Sequence, residues 1–116
     1  MSAERQHPRY SVDIWVDYSA LNSFTSSHLS NVSRGGACIR TEKPLPLDTD
    51  VKMVLWLPGS SAIRVRGRVV WSQNARPKSG EAVGAGVRFV DVPPTDRELL
   101  IEYLDALSRS PSPSDH

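Results

Sequence analysis

Two short polar motifs hold the residues of this chain best suited to chemistry. Arg5-Gln6-His7-Pro8-Arg9 has the form RxxxR, and Asn31-Val32-Ser33-Arg34-Gly35-Gly36, about twenty residues on, has the form (D/N)xSxxG. Each arginine offers a planar fork that donates paired hydrogen bonds to a phosphate or to the O6/N7 edge of guanine, and that stacks flat on a purine. The second motif adds a carboxamide that both donates and accepts, a hydroxyl, and glycines that permit positive φ or close approach of the backbone to a ligand. Together these groups have the chemistry to hold the phosphate and base of a guanine nucleotide. Each motif also has a plain structural reading, as solvated arginines in a polar terminus and as an Asx or Ser/Thr turn. Arg34 either adds a third cation or faces water.

Catalytic equipment is missing. The chain has no nucleophile elbow, no Walker loop and no zinc-protease helix. Asp13 and Asp17 share a strand parity, as two carboxylates facing solvent. Cys38 is the only cysteine, which excludes an internal disulfide, and His7, His28 and His116 lack metal-ligand spacing. A sensor is expected, not an enzyme, with no metal.

At 116 residues the chain is long enough for one core. A formal net charge of +1 argues against a protein that coats nucleic acid. The charge is unevenly placed: residues 51–80 contain no acid but hold Lys52, Arg64, Arg66, Arg68, Arg76 and Lys78, while Asp96, Glu98, Glu102 and Asp105 load the C-terminal segment. No apolar run reaches membrane-spanning length and the N-terminus is too polar for a signal peptide, so a cytoplasmic location without membrane contact is expected.

The elements that must position the motifs are mostly strands. Residues 1–10 read as a flexible arm, with Pro8 biasing His7 away from helical geometry. Val12, Ile14, Val16 and Tyr18 alternate with polar residues as in a half-buried strand, and Trp15 breaks the pattern to cover a barrel end or a groove. Residues 19–27, rich in Ser, Asn and Thr, read as a hairpin loop. Further strands are expected up to Val32, over residues 37–41, from Val51 to Leu57, along Ile63-Val65-Gly67-Val69-Trp71 with Arg64, Arg66 and Arg68 on the opposite face, and over 83–90 after a turn at 74–80. Trp71 is expected in the core, Cys38 as a small buried hydrophobe, and glycines 67, 84 and 86 as points where strands bend. One helix follows Pro93-Pro94. Thr95 and Glu98 suggest a capping box, and Leu99, Leu100, Tyr103, Leu104 and Leu107 form its apolar stripe. Residues 108–116 have too little apolar content to pack and read as a disordered tail. The fold class is mainly β: a six-stranded antiparallel β-barrel with a C-terminal α-helix, over residues 11–107.

The ordered combination of motifs resembles the PilZ domain, the bacterial receptor module for cyclic di-GMP. RxxxR precedes the first strand (Arg5, Arg9), NxSxxG follows (Asn31, Ser33, Gly36), and the family's apolar strands match Val69-Val70-Trp71 and Gly86-Val87-Arg88-Phe89. The resemblance spans roughly residues 4–107 and implies the same barrel and helix. It also implies that Arg5 and Arg9 grip phosphates and guanine faces, that Asn31 and Ser33 contact a guanine, and that Gly36 shapes the turn. Glu4 departs from the pattern, since Arg or an apolar residue is common at that position, and leaves ligand stoichiometry and affinity open.

The resulting expectation is a cyclic di-GMP receptor whose N-terminal arm changes conformation on binding and which signals through a protein partner in motility or biofilm regulation. One rival is a PilZ-like adaptor that binds proteins without the nucleotide. A more distant one is a nucleic-acid binder using the Arg64–Arg66–Arg68 stripe, which lacks the interleaved exposed aromatics that single-strand binders use.

Overall fold

Alternating apolar residues close into a barrel in the computed structural model, which describes residues 8–41, 45–59, 61–72 and 84–109. The strands are β1 (Tyr10–Ala20), β2 (Ser23–Val32), β3 (Gly36–Arg40), β4 (Asp50–Leu57), β5 (Ser61–Ser72) and β6 (Gly84–Asp91), followed by the helix α1 (Pro94–Arg109). Around the barrel they run β1-β2-β3-β6-β5-β4, every neighbouring pair antiparallel, and β4 pairs back onto β1. Closure leaves no free sheet edge. The expected fold class is the observed one.

The period-two pattern decides which side chains fill the barrel. Val16, Leu29, Ile39, Leu55, Ile63 and Val69 are among those fully buried, and Arg64, Arg66 and Arg68 face out from β5 as read. Leu100 and Leu104 of α1 are buried, with Leu99, Tyr103 and Leu107 packed against the same core. The Asp96 carboxylate accepts a bond from the Arg64 backbone N–H at 2.7 Å and ties the helix start to β5.

Three expectations change. The loop expected over 19–27 is strand on both sides of a two-residue turn, Leu21-Asn22. Ser23, Thr25 and Ser26 are exposed there, so their polarity reflects solvent and not a break in the ladder. The capping box does not form, because α1 starts at Pro94 and Thr95 already lies inside it. Pro94 suits a first-turn position, where its missing N–H is not needed, and the Pro93 carbonyl accepts from Arg97 N–H at 2.8 Å. Trp71 lies outside the barrel, past a shift in the β5–β6 register. Tyr10 belongs to β1 and α1 extends to Arg109, while the rest of the expected arm (1–7) and tail (110–116), and the turn at 74–80, lie outside the described residues.

Both turn residues have left-handed backbones, φ 54° at Leu21 and 62° at Asn22. That pair matches the twist of a tight hairpin and suits Asn-Gly, whereas a left-handed Leu is strained by about 1–2 kcal/mol. Leu21 is also exposed and gives no core packing in return. Leu21→Asn should therefore stabilise the protein by about 1 kcal/mol, seen as a melting temperature several degrees higher.

No helix among the described residues is long and apolar enough to cross a membrane. Nor do the described residues contain a group of three or more His, Cys, Asp or Glu arranged to hold a metal.

Candidate functional site

The two motifs meet on the outer wall where β1, β2 and β3 adjoin. Asn31, near the end of β2, is the Cα partner of Ser11 on β1 and of Cys38 on β3. Arg9, one residue ahead of β1, donates from Nη1 to Asn31 Oδ1 at 2.7 Å and lies 3.9 Å from Cys38 Sγ. A residue of the first motif thus contacts one of the second across 22 positions of sequence. Arg9 is exposed and Asn31 half-buried, so a ligand can reach both. Arg5 lies outside the described residues.

The turn between β2 and β3 is ordered from within. Ser33 N–H donates to the Gly36 carbonyl at 2.8 Å, the Ser33 hydroxyl donates to the same oxygen at 3.4 Å, and Gly35 N–H donates to Ser33 Oγ at 3.2 Å. The Ser33 side chain is buried inside its own turn, the geometry of the plain reading of that motif. Phe89 N–H donates to the Gly35 carbonyl at 2.8 Å and fastens the turn to β6. Gly36 is needed for close approach: a Cβ there would stand 2.5 Å from the Val87 carbonyl oxygen on β6. Positive φ is not its reason, since Gly59 is the glycine with positive φ among the described residues.

The cations around this turn are Arg9, Arg34 and Arg88. Arg34 is exposed, and Arg88, the Cα partner of Gly36 on β6, is exposed as well. A guanidinium on the carboxamide, with two more exposed along the turn and its partner strand, favours a compact polyanion with a hydrogen-bonding edge.

Sequence reading misplaced one member of this surface. The β5–β6 register shifts between Val69 and Trp71, so two β5 residues oppose a shorter stretch of β6 and the side-chain alternation inverts. Trp71 therefore turns outward, 43% exposed, and lies over Gly86, where any Cβ would collide with the indole Nε1. Gly86 is also the Cα partner of Cys38, so one outer row runs Asn31, Cys38, Gly86, Trp71. That row joins a carboxamide at one end to an aromatic face at the other. The signal available in the sequence was Gly86 inside an otherwise apolar strand, a gap that an aromatic from the neighbouring strand can cover.

The model of a family described as the PilZ domain matches residues 3–106 of the chain. Among solved structures, the Bacillus subtilis inhibitor of motility MotI/DgrA superposes with a TM-score of 0.76 at 16% identity, covering 92% of this chain and 53% of that one. The PilZ domain of Escherichia coli YcgR, solved with c-di-GMP, gives 0.74 at 18% identity over 91% and 92%. The MrkH–c-di-GMP complex from K. pneumonia gives 0.71 at 19% identity over 91% and 55%. The chain thus spans about half the length of MotI and MrkH, and nearly all of the YcgR domain. At these identities the likeness concerns the fold. No curated protein matches the chain in sequence.

Proposed function

The chain belongs to the PilZ domain family, and on that premise we propose that it is a receptor for cyclic di-GMP, bound on the outer wall between Arg9 and Trp71. The family's domains are non-catalytic receptor or effector modules, and the site is suited to binding alone. The observation that carries the reading is the Arg9–Asn31 hydrogen bond. It joins the cation of one motif to the carboxamide of the other, beside a turn whose close packing leaves the backbone fixed. The YcgR domain and MrkH, whose structures contain c-di-GMP, share this fold.

In this reading a ligand phosphate replaces Asn31 Oδ1 as the acceptor for Arg9, and the freed carboxamide pairs with a guanine edge. Arg5 closes on the same ligand, so the N-terminal arm changes conformation. Ordering an arm residue costs about 1–2 kcal/mol. Charge-assisted bonds return about 1.5–3 kcal/mol each, enough to order a short segment. Ser33 acts mainly by holding the turn. Trp71 supplies a face on which a base stacks, an interaction of about 1–3 kcal/mol per base. The rearranged surface is read by a protein partner.

Calorimetric titration of the full chain with cyclic di-GMP tests this: saturable heat is expected, and the fitted ratio fixes the stoichiometry that Glu4 leaves open. No heat at tens of micromolar protein would overturn the nucleotide reading and make the chain an adaptor. Trp71→Ala should weaken binding roughly tenfold through lost stacking. Because the indole also covers Gly86, a fall of a few degrees in melting temperature is expected alongside.

A further inference from the structure

The outer wall carries a second surface, about seven residues along β2 from Asn31, or about 23 Å at strand spacing. Its side chains form a lattice fixed by strand register. One row runs Phe24 (β2), Ser19 (β1), Lys52 (β4), Arg66 (β5) and Asp91 (β6); the next runs Ser26, Asp17, Val54 and Arg64. Between them lies a groove of about 320 Å³, with Phe24, Val54 and Pro93 among the residues that line it.

Two features of this face are costly for a merely solvated wall. Lys52 and Arg66 are direct cross-strand partners, and like charges placed opposite one another destabilise a sheet. Asp50 approaches Arg68 at 3.6 Å, but among the described residues the side chains of Lys52, Arg64 and Arg66 make no ion pair or hydrogen bond. The adjoining row pairs Trp15 with Trp56, each 46% exposed. Both indoles are pinned by one carboxylate. Trp15 Nε1 donates to Asp17 Oδ1 and Trp56 Nε1 to Asp17 Oδ2, each at 3.0 Å, while Ser26 Oγ donates to Oδ1 at 2.6 Å. The bonds from Ser26, Trp56 and Trp15 hold the Asp17 carboxyl below its ordinary pKa. Both oxygens are engaged by these donors, so Asp17 orients the indoles while keeping its charge.

We propose that the outer wall of β1, β4 and β5 is a docking face for an acidic protein segment, whose carboxylates pair with Lys52, Arg64 and Arg66 while an apolar side chain enters the groove beside Phe24. Charge complementarity selects the occupant. The unpaired cations ask for anions, and preset aromatic groups next to arginines are the composition that anchors protein interfaces. A nucleic acid fits less well, because its evenly spaced phosphates would fall on Asp17, Asp50 and Asp91 as well as on the cations, whereas a peptide can set a few carboxylates on Lys52, Arg64 and Arg66 and neutral residues opposite the acids. The face would carry the output proposed above, and it depends on that reading only in requiring a protein partner.

The test uses the full chain without nucleotide. Amide and indole spectra are recorded while adding a synthetic Glu- and Asp-rich peptide carrying one Phe and one Leu, then the same peptide with Lys at every acid, then duplex and single-stranded DNA. The acidic peptide alone should shift residues 24, 52, 54, 64 and 66 and the Trp15 and Trp56 indoles. The variant Lys52→Glu should bind it at least about tenfold more weakly and melt no lower than the parent, since it turns the like-charge pair with Arg66 into an opposite-charge one. Should that variant fail to fold, the parent's shift map decides. Shifts absent from these residues, equal response to the lysine peptide, or binding of DNA instead would overturn the proposal. Resonances of Arg9 and Asn31 play no part, so this face and the nucleotide site fail separately.

Discussion

Arg9→Ala is expected to weaken cyclic di-GMP binding at least about a hundredfold while the free protein melts within a degree or two of the parent. The binding loss follows from chemistry. A guanidinium fork on a phosphate forms two charge-assisted bonds at about 1.5–3 kcal/mol each, and about 2.7 kcal/mol already equals a hundredfold. The unchanged stability follows from position, since Arg9 is exposed, precedes β1 and contributes nothing to the buried core. Its hydrogen bond to Asn31 joins two groups that water can serve equally well. Surface substitutions of this kind stay within about 0.5 kcal/mol. Arg9→Lys sharpens the test, because it keeps the charge and loses the fork; an intermediate loss is expected. Arg5→Ala should behave like Arg9→Ala. Calorimetry and thermal melts of the three variants read both quantities. Parental affinity in Arg9→Ala would place the nucleotide elsewhere.

The barrel was legible wherever one face of a strand meets the core and the other meets water. In β4 and β5, Val51, Met53, Leu55, Ile63 and Val65 are buried in strict alternation with exposed or half-buried residues, and the reading needed nothing more. It failed where local composition and tertiary setting diverge. Residues 19–27 look like a loop because the outer hairpin has little core to cover, and the actual turn uses Leu21, which carries no turn signal. Parity puts Trp71 inside, and a single bulge reverses parity for everything beyond it. The meeting of Arg9 with Asn31 was legible only through the order of two motifs along the chain, since no periodicity brings residues 9 and 31 together. The burial of Ser33 was not legible, because a hydroxyl serves a turn or a ligand with the same chemistry.

Two glycines on the outer wall separate what the fold needs from what the ligand needs. In Gly36→Ala the new Cβ meets the Val87 carbonyl oxygen at 2.5 Å, and that oxygen belongs to the backbone of β6. Neither partner can rotate away. Relief requires β3 and β6 to separate where Ala37 pairs with Val87 and where Phe89 N–H holds Gly35. Overpacking of this kind costs about 1–3 kcal/mol, and a rigid backbone contact belongs at the upper end. A fall in melting temperature on the order of 10 °C is expected. Nucleotide binding should fall too, because the displaced turn carries Asn31 and Ser33 with it. In Gly86→Ala the obstacle is the Trp71 indole, a side chain 43% exposed with solvent to move into. That variant should melt much closer to the parent yet bind cyclic di-GMP weakly, its stacking face having swung off the site. A parental melting temperature for Gly36→Ala would mean that the close approach of β3 to β6 does not fix the turn. Parental affinity in Gly86→Ala would remove Trp71 from the site while leaving Arg9 and Asn31 in it.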